Sequence, residues 1–158
     1  MKAVVWFALL ISTSLAYADE WIYSSISDLA AKQIVVATDA IGGHRKAKAI
    51  TCPESAPYIC YTSAVFNFAF PRNDREPTTW AHDGFVYRVT KRETMSILGA
   101  PVDVIEIEQS QQGKKLMKFI FSKKRGIVSF HALRSRAPVF LLENACGVGA
   151  SAECQVKP

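Results

Sequence analysis

The stretch from Val102 to Leu133, VDVIEIEQSQQGKKLMKFIFSKKRGIVSFHAL, decides the fold. It contains three apolar-rich runs, 102–108, 116–121 and 127–133, separated by polar turns at 109–113 and 122–126. β-Branched and aromatic residues fit a pleated, half-buried surface. Connections this short join adjacent antiparallel strands and cannot carry a parallel crossover. Met117, Phe119 and Phe121 fall on one face of their strand, and Val128, Phe130 and Ala132 share a face on the next. Val139 to Leu142 reads as a further strand, so the C-terminal half is an antiparallel meander.

Working towards the N-terminus, Phe66, Phe68 and Phe70 alternate until Pro71, and residues 72–79 read as an exposed polar loop. Phe85, Tyr87 and Val89 alternate again. Residues 91–98 fit neither period, and Gly99-Ala100-Pro101 reads as a stop. The alternating aromatics read as core rather than as a platform for a ligand. Ser27 fits a helix cap and Asp28 a first-turn acid. A helix would then run to about Thr38 or Ala40, before Gly42-Gly43. Ile34-Val35-Val36 pull the same segment towards strand, so a short helix followed by a strand is the competing reading. The expected class is α+β: a curved antiparallel sheet with a C-terminal meander and one N-terminal helix. An all-β, barrel-like fold is the alternative.

Lys2, the apolar run Ala3–Ile11 and Ala16-Tyr17-Ala18 follow the order of a secretory signal peptide, with cleavage expected after Ala18. The apolar run is short for a membrane span, and no positive cluster follows it. Residues 19–158 then form a single disulfide-stabilised domain, with no transmembrane segment in the mature chain. A chain of this size buries about two thirds of its unfolded surface. With 49% hydrophobic and 21% charged residues and a mean hydropathy of +0.09, the composition excludes a disordered tail, a fibre, a coiled coil and a multi-span membrane protein. The expected location is secreted or periplasmic.

Four cysteines, Cys52, Cys60, Cys146 and Cys154, fit that oxidising setting as disulfides. Three connectivities exist. Short loops close at least entropic cost, which favours Cys52–Cys60 and Cys146–Cys154. The spacing is wider than the tight cysteine pairs of zinc sites, so no metal is expected.

The formal net charge is +5, or +4 once Lys2 is removed with the signal. Lys114, Lys115, Lys118, Lys123, Lys124 and Arg125 crowd one hairpin and form the candidate binding surface, which Arg134 and Arg136 would extend. Clustered cations act together on one polyanion, and salt weakens the contact. The competing reading is edge protection, because lysines on strand edges discourage sheet-to-sheet pairing. Glu106 and Glu108 stand where cross-strand pairing would neutralise part of the cluster.

Catalytic signals are sparse. The histidines are His44, His82 and His131, and no G-x-S-x-G elbow is present. His82-Asp83 are neighbours in sequence, which on a strand sends their side chains apart. His44 with Arg45, Lys46 and Lys48, and His131 with Arg134, offer nuclease-type groups only if the fold joins them. No catalytic residue and no cofactor are assigned. The expectation is an exported, non-enzymatic binding protein, such as an inhibitor, an immunity factor or an envelope-binding protein. Its partner would be a protein or an anionic envelope component, with nucleic acid disfavoured. The alternatives are a small hydrolase or nuclease using His82 or His131, and a structural envelope component that assembles through strand edges.

Overall fold

The computed structural model describes residues 20–26, 33–43, 46–73, 77–134 and 138–155. Six strands fill the first half: β1 (Glu20–Ser25), β2 (Gln33–Ala37), β3 (Ala40–Gly42), β4 (Lys46–Thr51), β5 (Tyr58–Ser63) and β6 (Asn67–Pro71). Six more follow: β7 (Thr79–His82), β8 (Phe85–Ile97), β9 (Ala100–Gln111), β10 (Lys114–Ser122), β11 (Gly126–Ala132) and β12 (Val139–Leu142). One helical turn, α1 (Ala152–Gln155), ends the described chain.

Every paired neighbour is antiparallel, and the order is β6-β5-β4-β3-β2-β1-β12-β11-β10-β9-β8-β7. The chain meanders throughout, and the first strand pairs with the last at Tyr23↔Leu142 and Ser25↔Phe140. The result is a nearly closed, barrel-shaped sheet. This corrects the α+β expectation, and the barrel-like alternative fits instead. The start of the expected N-terminal helix, residues 27–32, lies outside the described residues, as do the proposed signal residues 1–18. The rest of that helix is strand: Trp21↔Val36 and Tyr23↔Ile34 pair β1 with β2. Ile34, Val35 and Val36 are stiff at χ1, and β1 pairs all three while β3 pairs Val35 and Val36, which overrides a weak helix cap.

The meander of residues 102–133 is present, with longer strands than expected. Residues 91–97 belong to β8, and Ala100-Pro101 open β9 rather than end a strand. The turn expected over 109–113 shrinks to Gln112-Gly113. Three hairpins close through two residues at positive φ: Asp83-Gly84 (49° and 77°), Leu98-Gly99 (53° and 77°) and Gln112-Gly113 (50° and 75°). Turns of this hand match the twist of the strands they join, so pairing runs right up to them.

Aromatic rings fill the interior. Phe66 meets Phe130 at 4.7 Å, Phe68 meets Phe119 at 5.1 Å and Phe70 meets Phe121 at 4.7 Å between centroids. The alternating aromatics are core, as their period implied. Side chains join β6 and β7, the two ends of the strand order. Trp80 Nε1 donates to the Ala69 carbonyl at 2.9 Å and stacks on Tyr87 at 5.5 Å. Gln109, buried in β9 rather than exposed in a turn, donates from Nε2 to the Asn67 carbonyl at 2.8 Å. Its Nε2 also lies 3.1 Å from the Tyr87 hydroxyl, whose acidity burial weakens, pushing its pKa up to about 12. Among the described residues, no helix is long and apolar enough to cross a membrane.

Candidate functional site: the basic end of the barrel

The turn between β10 and β11 carries Lys123, Lys124 and Arg125. It is tight because Ser122, buried beneath it, accepts hydrogen bonds at Oγ from the amides of Lys124 (3.3 Å) and Arg125 (3.4 Å). Gly126 completes it at φ 76°. A Cβ there would stand 2.6 Å from both Ala150 N and Gly147 O, so only glycine admits the neighbouring loop.

That neighbour is the segment closed by Cys146–Cys154. Its Gly147 amide donates to Arg125 O (2.7 Å) and its Ser151 amide to Lys124 O (3.1 Å). The Ile127 amide returns a bond to Val148 O (2.8 Å). Fully buried Tyr23 fastens the joint: its hydroxyl donates to Ile127 O at 2.8 Å and accepts from Val148 N at 3.2 Å. Burial pushes the Tyr23 phenol above its usual pKa, so it keeps the proton that the first of these bonds uses.

Both disulfides join the expected partners, with Cα–Cα distances of 5.1 Å for Cys52–Cys60 and 5.8 Å for Cys146–Cys154. Two bridges are what an oxidising environment permits.

Two concavities flank the turn. One, about 620 Å³, lies between the β8–β9 hairpin and the turn, and includes Arg92, Thr94, Asp103, Ile105, Lys123 and Lys124. The other, about 640 Å³, includes Ile59, Phe70, Arg72, Lys123, Gly149 and Ser151. Lys123 borders both.

The six expected binding residues are spread along β10 and the turn that follows it. Lys115 Nζ lies 2.8 Å from Glu108 Oε2, and Lys118 Nζ lies 3.0 Å from Glu106 Oε1. Arg88 also reaches Glu108, at 3.5 Å. Glu106 accepts from Thr90 Oγ1 at 2.5 Å; that bond, with Lys118 beside it, holds its carboxyl below the usual range. The neutralisation anticipated from Glu106 and Glu108 is therefore present at mid-strand. Lys114 opens β10 while Lys123 follows its end, so a nine-residue strand of roughly 30 Å separates them. Lys123, Lys124 and Arg125 remain together. Lys123 and Lys124 are exposed and Arg125 is half-buried, with Nη1 buried and lacking a hydrogen-bond partner.

Of the histidines, the described His82 and His131 lie on different strands, β7 and β11. His44 and Arg45 lie outside the described residues, as does Arg136. His82 ends β7, and His131 lies on β11 opposite Lys118. Burial, reinforced by Lys118, lowers the His131 pKa. The sequence expectation for His82-Asp83 needs correction, because His82 Nε2 lies 3.4 Å from Asp83 Oδ2. Asp83 has left the strand for a left-handed turn, which swings its carboxylate back.

Two features were missed in the sequence. Leu98, 69% exposed, stands at positive φ on the tip of the β8–β9 hairpin, where glycine or asparagine costs less. The dipeptide Leu98-Gly99 is the available signal, overlapping the stop expected at Gly99-Ala100-Pro101. The approach of His82 to the Cys52–Cys60 bridge left no signal, since it joins residues far apart in the chain. Comparison of the chain with protein-family models, with curated proteins and with solved structures returned no match.

Proposed function

We propose that this chain is an exported, non-enzymatic binding protein, secreted or periplasmic, that docks an acidic partner protein against its basic end. The observation that carries the reading is the rigid presentation of Lys123 and Lys124. Their turn is fixed by backbone bonds to a disulfide-closed loop and is flanked by two concavities. Cations held in place bind with less ordering cost than cations on a mobile loop. Charge at an exposed rim acts mainly on association rate and salt dependence.

The test is capture from envelope and secreted fractions by the oxidised protein at low and moderate salt, compared with Lys123→Glu/Lys124→Glu and with Lys114→Glu. The reading expects one stoichiometric acidic protein, lost with the double variant, retained with Lys114→Glu, and no change in melting temperature. Equal capture by the double variant overturns it. Recovery of salt-labile polyanions alone replaces the protein partner with an anionic envelope surface.

A second reading, assembly through a strand edge, has its own observation. β7 pairs only with residues 85–88 of β8. Among the described residues no strand pairs with the outer edge of 93–97, and Met95 (40%) and Leu98 (69%) are exposed there. Concentration-dependent sedimentation that Thr94→Pro abolishes would favour it.

A further inference from the structure

We infer that reduction of the Cys52–Cys60 bridge creates a site for a thiolate-binding d10 cation, Zn2+ or Cu+, completed by His82. The inference is independent of the basic-end reading. Cys52 follows β4, Cys60 lies on β5 and His82 ends β7, which has no backbone pairing to either strand. One ligand atom from each of the three lies within 4.8 Å of the other two. A tetrahedral site with sulfur and nitrogen ligands needs such spacing once the sulfurs relax apart.

The chemistry of the donors selects the ion. Two thiolates and an imidazole favour Zn2+ and Cu+ over hard cations. Three protein ligands leave a fourth position open on zinc. Cys60 is buried and Cys52 half-buried, while the His82 side chain keeps 20% exposure, so the cluster is sheltered but reachable. The imidazole is already oriented: Tyr58 packs on it at 4.7 Å, and the Asp83 carboxylate lies 3.4 Å from Nε2. A carboxylate beside a ligating histidine fixes ring orientation. The Cys146–Cys154 pair has no such third ligand among the described residues, which makes it an internal control.

Bridge and cation exclude each other, because a disulfide sulfur carries no thiolate charge. A dithiol supplies two electrons and two protons; the Cys52–Cys60 S–S bond breaks, two thiols form, and the dithiol closes to its own disulfide. Zn2+ then displaces both thiol protons to solvent and binds two thiolates and a neutral imidazole. Redox state thus gates cation binding at the seam between β5 and β7.

The experiment titrates the full chain, reduced under anaerobic conditions, with Co2+ as the spectroscopic probe and then with Zn2+ against a chromophoric chelator. Expected are thiolate-to-cobalt charge-transfer bands that Zn2+ abolishes, none in the oxidised protein, and none in Cys52→Ser/Cys60→Ser. The bands persist in Cys146→Ser/Cys154→Ser. Neighbours of a ligand alone carry 10–100-fold in affinity, so His82→Ala weakens binding by at least about tenfold. His82→Gln, which keeps bulk against Tyr58, serves if the alanine variant loosens the seam. Absence of the bands, wild-type affinity in both His82 variants, bands that follow Cys146 and Cys154, or a reduced chain that stays unfolded with metal each overturn the inference.

Discussion

Tyr23→Phe probes the joint that makes the basic end rigid. The substitution keeps the ring, so the edge-to-face contact with Phe130 at 5.1 Å survives and no cavity opens. It removes one hydroxyl, and with it the bond to Ile127 O at 2.8 Å and the bond from Val148 N at 3.2 Å. Each buried group left without its partner costs about 1–3 kcal/mol, and the Ile127–Val148 backbone bond limits how far the two can move to find another. The low end of that range for both groups gives a loss of about 2 kcal/mol. For a domain of this length that lowers Tm by roughly 4–8 °C. Urea denaturation should show a lower midpoint at unchanged slope. Amide exchange should quicken first at Gly147, Val148 and Ser151, because the loop they belong to is what Tyr23 pins. A loss under about 0.5 kcal/mol, or exchange that rises evenly over the barrel, refutes the assignment of Tyr23 as the fastening between the sheet and the C-terminal loop.

Leu98→Asn should stabilise the protein by about 1 kcal/mol, because asparagine tolerates the left-handed backbone that leucine resists; a lower melting temperature would contradict the turn geometry. Reduction should remove about 2–3 kcal/mol per bridge, the value for loops this short, and an unchanged melt would show that the bridges do not support the fold. Acid should act in two steps. The unfolded chain protonates His131 near its ordinary 6.5, and burial lowers that value in the folded state, so stability falls as pH drops through 6.5. Glu106, held low by Thr90 and Lys118, contributes stability above its ordinary 4.5 that is lost as pH falls through its folded value. His131→Gln should erase the first step and leave the second, as read by urea midpoints across that pH range.

The sequence by itself determined the local elements of the meander. Alternation at Met117, Phe119 and Phe121 set the buried face, because the side-chain period of a strand is two whatever lies opposite. Short polar connections set antiparallel neighbours, and short cysteine loops set the disulfide partners. Only the tertiary structure decided the closure. Whether residues 33–40 formed helix or strand depended on β1 and β3 lying alongside, since propensity is weak against a full ladder of partners. The meeting of β1 with β12, and of Trp80 and Gln109 with the β6 backbone, joins residues far apart in sequence, and no local pattern records such contacts. The same reason governs the site. Six cations within residues 114–125 were spread along one strand and its turn, with Lys115 and Lys118 paired to Glu108 and Glu106 on the neighbouring strand, while His82 was carried to a disulfide that its own surroundings in the chain do not mention.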